Sequence, residues 1–465
     1  MRAATERNRL RLPGPANGVD GETGAYLVDS LTPEKLRELV RREARPPERS
    51  PDLHRLQLAL RPHLGPIDGI DPGKLAEAGW GVVFTAGVEP EIKEALQPLF
   101  EHRRRLAGDL YKTLEYRGEG KQLFLARSGS SPGPVDPSKL PYYLLLVGDL
   151  EEIPLDFQYQ LDIQHAVGRL HFDGPDRHRA YLAYAERVVA AETGRMCRPR
   201  KAVLFGAANP NDAATKLTHD HLLQPLGRFL RSKPGPWKIE MVAGAAAKKD
   251  KLTRLLGRDA PPLLMAAVHG AGFREDDPRQ RLSQGALICQ DWNGPGSGIS
   301  PSCYVTAGDL DGESDLTGLI VLLFACFGAG APAHNNFVHR GPHEPTTVAP
   351  QPFISALPQK LLSQGALAVV GHIDRLWGYS FYWPLSGKQL PVFQNALGRL
   401  LESKPLGWAM ESFNLRYAEL ATELLWRQLR GSPDDLLDDV ALWTAFLDAR
   451  NYVILGDPAA RLAPA

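Results

Sequence analysis

Two apolar runs in the sequence each end in a side chain that could take part in nucleophilic chemistry. LLMAAVHGAG ends in His269 and Gly270, and LIVLLFACFGAG reaches Cys326 before a series of small residues. A cysteine thiolate is a nucleophile, an imidazole can take its proton, and backbone N–H groups can stabilise the oxyanion that follows. The N–H groups of Gly270 and Cys326 are candidates for that oxyanion hole, because glycine lets the backbone approach a substrate closely. The pattern predicts a cysteine–histidine hydrolytic site, with Cys326 exposed where its strand ends.

A buried structural thiol is the competing interpretation of Cys326. Cysteine is among the most frequently buried residue types, and an isolated histidine at a strand end is often only a hydrogen-bonded structural residue. The occurrence of both at strand ends, each followed by small residues, favours the chemical interpretation. The other cysteines, Cys197, Cys289 and Cys303, form no C-x-x-C pair, so neither a zinc ribbon nor a disulfide framework is expected. We interpret Cys289 and Cys303 as structural.

The elements that must position these residues follow an α/β pattern. Short apolar runs alternate with amphipathic stretches, which is typical of parallel strands joined by crossover helices. Strands are predicted over 81–84, 142–149, 201–207, 238–244, 263–270, 319–326 and 366–371, and helices over 179–192, 219–232 and 352–365. Catalytic groups in open parallel sheets gather beyond the carboxyl ends of the strands. We therefore predict a mostly parallel sheet with helices on both faces and with His269 and Cys326 at one edge.

Composition divides the chain of 465 residues into three predicted segments. Residues 1–75 are rich in Pro and Arg and are predicted to be an N-terminal extension, for which a regulatory role is one interpretation, with one helix beginning after Thr32-Pro33. Residues 76–197 are predicted to be a first α/β subdomain. Residues 198–465 are predicted to be the catalytic subdomain, with a mostly helical C-terminal part.

Charge and hydropathy exclude several classes of function. Lys plus Arg and Asp plus Glu both number 54, so no global basic field favours nucleic acid. No apolar stretch is long enough for a signal peptide or a membrane span. We expect a cytoplasmic protein that binds neither nucleic acid nor a membrane.

Three further segments carry a family resemblance: YYLLLVGDLEEIP (142–154), residues 166–192 and YVILGDPAARL (452–462). In this order they resemble the strand and Gly-Asp turn, the Gly-Arg turn with its long helix, and the Gly-Asp-Pro closure of the gingipain family. That family belongs to the caspase-like cysteine peptidases, a group that also contains caspases, separases, clostripain and CHAT-domain proteases. The resemblance implies a caspase-like (caspase–hemoglobinase) fold in two α/β subdomains. It also implies a cysteine endopeptidase without a cofactor, in which Cys326 is the nucleophile and His269 its acid–base partner. No tightly coupled third carboxylate is expected.

The resemblance also implies a substrate pocket. Gingipains pair an acid with a P1 Arg or Lys, and the matching segment of this chain offers Asp162 first and Asp156 second. Arginine pairs bidentately with a carboxylate, so P1 Arg is favoured, although Asp162 could equally be an ordinary surface residue. HIDRLWGYSF (372–381) resembles the pocket wall, where Trp377 would either cover the P1 side chain or belong to the core.

Other features differ from gingipains and resemble intracellular CHAT-like and bacterial caspase-like proteases. No secretory signal is expected from the sequence, and the chain carries an insertion over 274–310. Residues 328–352 form a long loop with little regular structure, and such loops are uncommon unless they are functional. Arg340 in this loop is a candidate for self-cleavage. We expect the protein to act on a protein or peptide substrate. We also expect it to be a zymogen that is activated by cleavage, by an upstream protease or by a regulator. Its expected setting is a bacterial stress or antiviral defence pathway.

Two other functions are compatible with the same residues. A catalytically inactive caspase-like scaffold could bind a partner through its cleft. A Rossmann-like enzyme could use HGAG and FGAGAP as phosphate-binding turns, but neither provides the full glycine pattern or a Walker lysine. His334, His339 and His343 are irregularly spaced on a Pro/Gly-rich loop, so no metal site is predicted.

Overall fold

The computed structural model describes residues 18–26, 65–312, 314–337, 347–383, 386–430 and 436–462. The strands are β1 (Gly18–Asp20), β2 (Trp80–Thr85), β3 (Tyr111–Tyr116), β4 (Tyr143–Val147), β5 (Ala166–Leu170), β6 (Lys201–Gly206), β7 (Lys238–Ala243), β8 (Leu263–Ala267), β9 (His269–Gly272), β10 (Leu287–Ile288), β11 (Tyr304–Val305), β12 (Ile320–Phe324), β13 (Gly330–Ala331), β14 (Phe353–Ile354), β15 (Ala368–His372), β16 (Tyr382–Trp383), β17 (Gly387–Lys388) and β18 (Tyr452–Gly456). The helices are α1 (Leu75–Ala78), α2 (Pro90–Ala95), α3 (Gln97–Ala107), α4 (Lys121–Arg127), α5 (Leu155–Asp162), α6 (Arg177–Glu192), α7 (Ala213–Thr218), α8 (Gln224–Ser232), α9 (Lys249–Leu255), α10 (Gln280–Ser283), α11 (Ala356–Ser363), α12 (Pro391–Leu401), α13 (Leu406–Arg430) and α14 (Leu436–Arg450).

A central sheet of ten strands has the order β3-β2-β4-β5-β18-β15-β12-β8-β6-β7. All neighbouring strands in this order are parallel except β15 and β18, which are antiparallel. The C-terminal strand β18 thus joins two parallel half-sheets that run in opposite directions. The predicted α/β class with a mostly parallel sheet is confirmed. Strands from both predicted subdomains belong to this one sheet. The domain seam after residue 197 stays a prediction.

Helices cover both faces of this sheet, as β4 illustrates. Tyr143 and Leu145 pack in the same core as α3 and α6. Leu144 and Leu146 point to the other face and pack with α4 and α5. A strand that is buried on both faces needs a continuous apolar run, which is why such strands were predictable from the sequence.

Residues 166–170 correct the sequence-based expectation of a Gly-Arg turn, because they form β5. Gly168 lies where an added Cβ would come 2.2 Å from the carbonyl oxygen of Gly456, so glycine permits the pairing with β18. Arg169 is buried and donates to the carbonyl oxygens of Gly148 and Ile153, which fixes the turn after β4. A glycine and a buried arginine interrupt the apolar run and thereby conceal the strand.

A smaller sheet carries the segment that contains His269. Its strand order is β1-β9-β10-β11, and β1 runs parallel to β9. Part of the predicted N-terminal extension therefore forms a strand beside the candidate site, and the insertion over 274–310 supplies β10 and β11. No helix in the described ranges is both long and apolar enough to cross a membrane.

A buried ion cluster ties β18 to the first half-sheet. The Arg103 guanidinium contacts Asp457 Oδ2 at 2.6 Å and Glu192 Oε2 at 2.6 Å. Trp80 Nε1 donates to the other oxygen of Asp457 at 2.9 Å. Asp457 follows β18 directly, so this cluster holds the central strand in its register.

Removal of the Asp457 carboxylate should destabilise the protein strongly. We expect Asp457→Ala to lower the free energy of unfolding by about 3–5 kcal/mol, because it leaves the Arg103 charge buried without one of its partners. Urea denaturation followed by circular dichroism measures the change. The control is Glu115→Ala, which removes an exposed ion pair with Arg117 and should barely move the midpoint. Equal shifts for the two variants would contradict this role of Asp457.

Candidate active site

His269 and Cys326 lie at the same edge of the central sheet. The strands that carry them, β8 and β12, are parallel neighbours, and Ala267 pairs with Phe324 at their carboxyl ends. His269 and Cys326 each follow two residues later. The topology places both groups beyond the ends of adjacent strands, where ligands of α/β proteins bind.

Gly270 lets the two strand ends approach each other closely. A Cβ added to Gly270 would lie 1.8 Å from the carbonyl oxygen of Cys326 and 2.9 Å from its backbone nitrogen. Any other residue would push the two segments apart. The Gly270 and Cys326 backbones are therefore in close contact, whereas their role as oxyanion donors stays a prediction.

The His269 ring is fully buried and held by one of its nitrogens. Nε2 lies 2.7 Å from Asp212 Oδ2, and we assign the ring hydrogen to Nε2 from this contact. Nδ1 is buried and makes no hydrogen bond within the described part of the chain. The rings of Trp292 and Tyr26 meet the imidazole edge-on, at 5.7 and 5.9 Å between centroids. The imidazole is thus oriented with Nδ1 available to accept a proton.

Asp212 is a functional candidate that the sequence analysis missed. It follows β6, the neighbour of β8, and its side chain accepts the Ala214 N–H at the start of α7. Burial raises the pKa of Asp212, but the neighbouring His269 and the hydrogen bonds to the carboxylate outweigh burial and hold that pKa well below its usual value. Asp212 is therefore ionised near neutral pH. The expectation that no third carboxylate couples tightly to the histidine is wrong for this chain.

The structure also corrects the expected exposure of Cys326, whose side chain is 0 % exposed. Its Sγ accepts the Leu376 N–H at 3.1 Å, and no hydrogen bond joins Sγ to the His269 ring between these two described residues. Burial raises the pKa of the Cys326 thiol far above its usual value. In this conformation the thiol is protonated, shielded and turned toward Leu376.

The backbone directly after Cys326 is strained. Phe327 has a φ of 56°, in the left-handed region that phenylalanine rarely adopts. Its N–H donates to the Asp374 carbonyl at 3.0 Å, and its carbonyl accepts the Ser355 hydroxyl at 2.8 Å. Such a conformation costs about 1–3 kcal/mol and persists only where surrounding contacts enforce it, which is frequent at functional sites.

Trp377, the predicted wall residue, is next in the chain to the residue that bonds the cysteine. It follows Leu376, and its N–H donates to Asp448 Oδ1 at 2.9 Å. The ring is 7 % exposed and packs on Phe337 with 5.7 Å between centroids. In this conformation Trp377 belongs to an apolar cluster, so its role in substrate binding stays a prediction.

The predicted pocket acids both lie on α5. Asp162 ends this helix and is 9 % exposed, so it is not an ordinary surface residue. Burial raises its pKa well above the usual value, although the Val167 N–H and the charges of Arg169 and Lys121 act in the opposite direction. Asp156 lies in the first turn of the same helix and is exposed. The role of both acids in substrate binding stays a prediction.

Several remaining candidates belong to the loop after Cys326. Arg340, His339 and His343 lie outside the described residues. His334 forms a bridge with Thr347 at the base of this loop. Within the described ranges, no group of three or more His, Cys, Asp or Glu side chains could hold a metal ion.

Comparisons with known proteins return likenesses at low identity. No protein-family model matches the chain, and no curated protein matches it. Among solved structures, it is similar to the Arg-specific cysteine proteinase gingipain R, with 13% identity, a TM-score of 0.47, and coverage of 85% of this chain and 80% of that one. It is also similar to the complex of Porphyromonas gingivalis RgpB pro- and mature domains, with 13% identity, a TM-score of 0.45, and coverage of 83% and 80%. The Saccharomyces cerevisiae separase–securin complex gives 10% identity and a TM-score of 0.31, with coverage of 68% of this chain and 15% of that one.

The burial of Cys326 predicts an order of thiol labelling. In native protein at pH 8, iodoacetamide should alkylate the exposed Cys197 first and leave Cys326 largely unmodified, because Cys326 is shielded and its thiolate fraction is small. Labelling of Cys326 should increase as pH rises, since its thiolate fraction grows. Peptide mass spectrometry measures each site, and unfolding in urea should equalise them. The closed conformation is the one in which Cys326 is buried and bound to the Leu376 N–H. Labelling of Cys326 in native protein at the rate of Cys197 would contradict it.

Proposed function

We propose that this protein is a caspase-like cysteine endopeptidase in which Cys326 is the nucleophile and His269 the general acid–base. The observation that carries the proposal is the oriented His269, with Nε2 bound to buried Asp212 and Nδ1 free, on a segment whose backbone contacts that of Cys326. A nucleophile, a base and a group that orients the base are the parts that covalent catalysis requires. The sequence resemblance to gingipains implies the same two reactive residues.

The proposed reaction begins with transfer of the Cys326 thiol proton to His269 Nδ1. The thiolate then attacks the carbonyl carbon of the scissile peptide, and the oxygen takes the negative charge, stabilised by the Gly270 and Cys326 N–H groups. As the carbon–nitrogen bond breaks, the imidazolium returns its proton to the leaving amine. His269 then takes a proton from a water molecule, which attacks the thioester carbon. The carbon–sulfur bond breaks, the acid product leaves, and the imidazolium returns its proton to the Cys326 thiolate. Asp212 stabilises the imidazolium throughout and keeps its orientation.

The closed thiol supports the prediction that the chain is a zymogen. Cys326 must leave the Leu376 N–H and turn toward His269 before the first proton transfer. Two hydrogen bonds fix the backbone around it. The Trp377 N–H donates to the Asp448 carboxylate, and the Phe327 N–H donates to the Asp374 carbonyl. Cleavage or a partner that releases this segment would activate the enzyme. Self-cleavage at Arg340, an upstream protease, a cytoplasmic location and a role in bacterial stress or antiviral defence remain parts of this proposal.

A preference for Arg at P1 is the part of the proposal that depends most on the resemblance. Asp162 stays the first candidate for the pocket acid and Asp156 the second. Arg375, Asp374 and Asp448 all act on the Cys326 thiol, and Asp448 accepts the N–H of the predicted wall residue Trp377.

One observation favours a second function, that of a catalytically inactive scaffold which binds a partner. The Cys326 thiol has a raised pKa and no hydrogen bond to His269, so it is not an activated nucleophile in this conformation. A scaffold would keep this conformation after proteolysis or partner binding, whereas a zymogen would not.

Fluorogenic peptides with Arg, Lys, Asp or Leu at P1 test these proposals. We expect wild type, before or after limited proteolysis, to hydrolyse the Arg and Lys peptides. Cys326→Ala should lower kcat/KM at least about a thousandfold, and Asp212→Asn about a hundredfold, because the latter loses the charge that stabilises the imidazolium. Asp162→Asn is the specificity control.

The outcomes separate the proposals. Hydrolysis that survives Cys326→Ala would exclude the dyad. An Arg preference that survives Asp162→Asn would exclude Asp162 as the pocket acid. If all proteins stay silent and Cys326 stays unlabelled after proteolysis, the scaffold is favoured.

A further inference from the structure

The segment 18–26 is fitted tightly against the candidate site. Gly18 and Asp20 pair with Gly270 and Gly272 in parallel register, and the Gly21 N–H donates to the Gly272 carbonyl at 2.9 Å. A Cβ added to Gly21 would lie 2.3 Å from the Phe273 ring. The strand beside His269 is therefore a specific fit and places the following residues reproducibly.

A short turn then brings Tyr26 to Asp212. Asp20 Oδ1 accepts the Thr23 N–H at 2.7 Å, and the Asp20 N–H donates to the Ala25 carbonyl at 2.8 Å. The Tyr26 hydroxyl donates to Asp212 Oδ1 at 2.6 Å. Burial, and then the adjacent Asp212, raise the pKa of Tyr26, so the hydroxyl keeps its proton and remains a donor.

The two oxygens of Asp212 have different sets of partners. Oδ2 receives His269 Nε2 and the Thr215 hydroxyl, at 2.7 Å each. Oδ1 receives the Tyr26 hydroxyl and the Ala214 N–H, the latter at 3.1 Å. Together these donors fix the plane of the carboxylate and hence the direction in which it accepts from the imidazole. Tyr26 is the partner that comes from the N-terminal segment 18–26.

From this arrangement we propose that Tyr26 is a positioning residue of the peptidase, acting on His269 through Asp212. The inference rests on the proposed function and deepens it, because it makes the N-terminal segment 18–26 part of the catalytic machinery. An inhibitory strap is the opposing possibility for a segment beside a site. The Tyr26 hydroxyl bonds the orienting carboxylate rather than Cys326 or His269, which favours positioning.

The test compares Tyr26→Phe with wild type in the full chain. The variant keeps the ring against His269 and removes one hydrogen bond to a charged acceptor, so kcat should fall about tenfold while KM stays within about twofold. In the Asp212→Asn background, Tyr26→Phe should cause no further loss. Tyr143→Phe is the matched control, since it removes a hydroxyl that donates to the Pro72 carbonyl at 2.5 Å, and it should leave kcat unchanged.

A spectroscopic measurement keeps the test independent of turnover. The His269 Nε2 proton in its hydrogen bond to Asp212 should give a downfield proton resonance, which His269→Gln identifies by its loss. Tyr26→Phe should move this resonance and Tyr143→Phe should not.

The possible results are distinct. An unmoved resonance, an unchanged kcat, or an equal loss in the Asp212→Asn background would overturn the role of Tyr26. A rise in kcat/KM would overturn it in favour of an inhibitory strap. If wild-type hydrolysis proves independent of Cys326, the proposed function fails, and the resonance still decides whether Tyr26 orders Asp212 and His269.

Discussion

The close contact between the backbones of Gly270 and Cys326 is the constraint on which the site depends. Two parallel strands end side by side, and the chain that leaves the first must pass Cys326, just beyond the end of the second, without a side chain between them. This contact places His269 beside the thiol segment and directs β9 away from the central sheet. Because β9 leaves the sheet there, a second small sheet can form, and its free side receives β1.

A buried carboxylate imposes the next requirement. Taking Asp212 out of water is costly unless its oxygens are satisfied by donors. The donors come from three places: the first turn of α7, the imidazole on β9, and Tyr26 in the N-terminal segment. The low pKa of Asp212 reflects the success of this arrangement, since the donors more than offset its burial. The orientation of His269 and the packing of residues 18–26 are therefore coupled, because both supply donors to Asp212.

The central sheet was largely predictable, because strands buried on both faces must be apolar throughout. β5 was missed because Gly168 and Arg169 serve needs outside the strand itself, namely the approach of β18 and the turn after β4. Asp212 was missed because its importance depends on β6 lying next to β8, and the order of strands in a sheet cannot be derived from the local pattern of apolar and polar residues. The burial of Asp162 at the end of α5 was not predictable either, because it depends on how that helix packs. The exposure of Cys326 was misjudged because residues 373–377 return over the strand end.

The two members of the dyad differ in how firmly they are held. His269 is fixed by a charge-assisted hydrogen bond, two aromatic edges and complete burial. Cys326 Sγ accepts the Leu376 N–H and donates to the Leu376 carbonyl at 3.9 Å, and both bonds are weak because a thiol is a weak donor and a weak acceptor. The left-handed Phe327 beside it stores strain that relaxation of the segment would release. The less costly route from the closed to a reactive arrangement is therefore movement of the cysteine toward a histidine that is already in place.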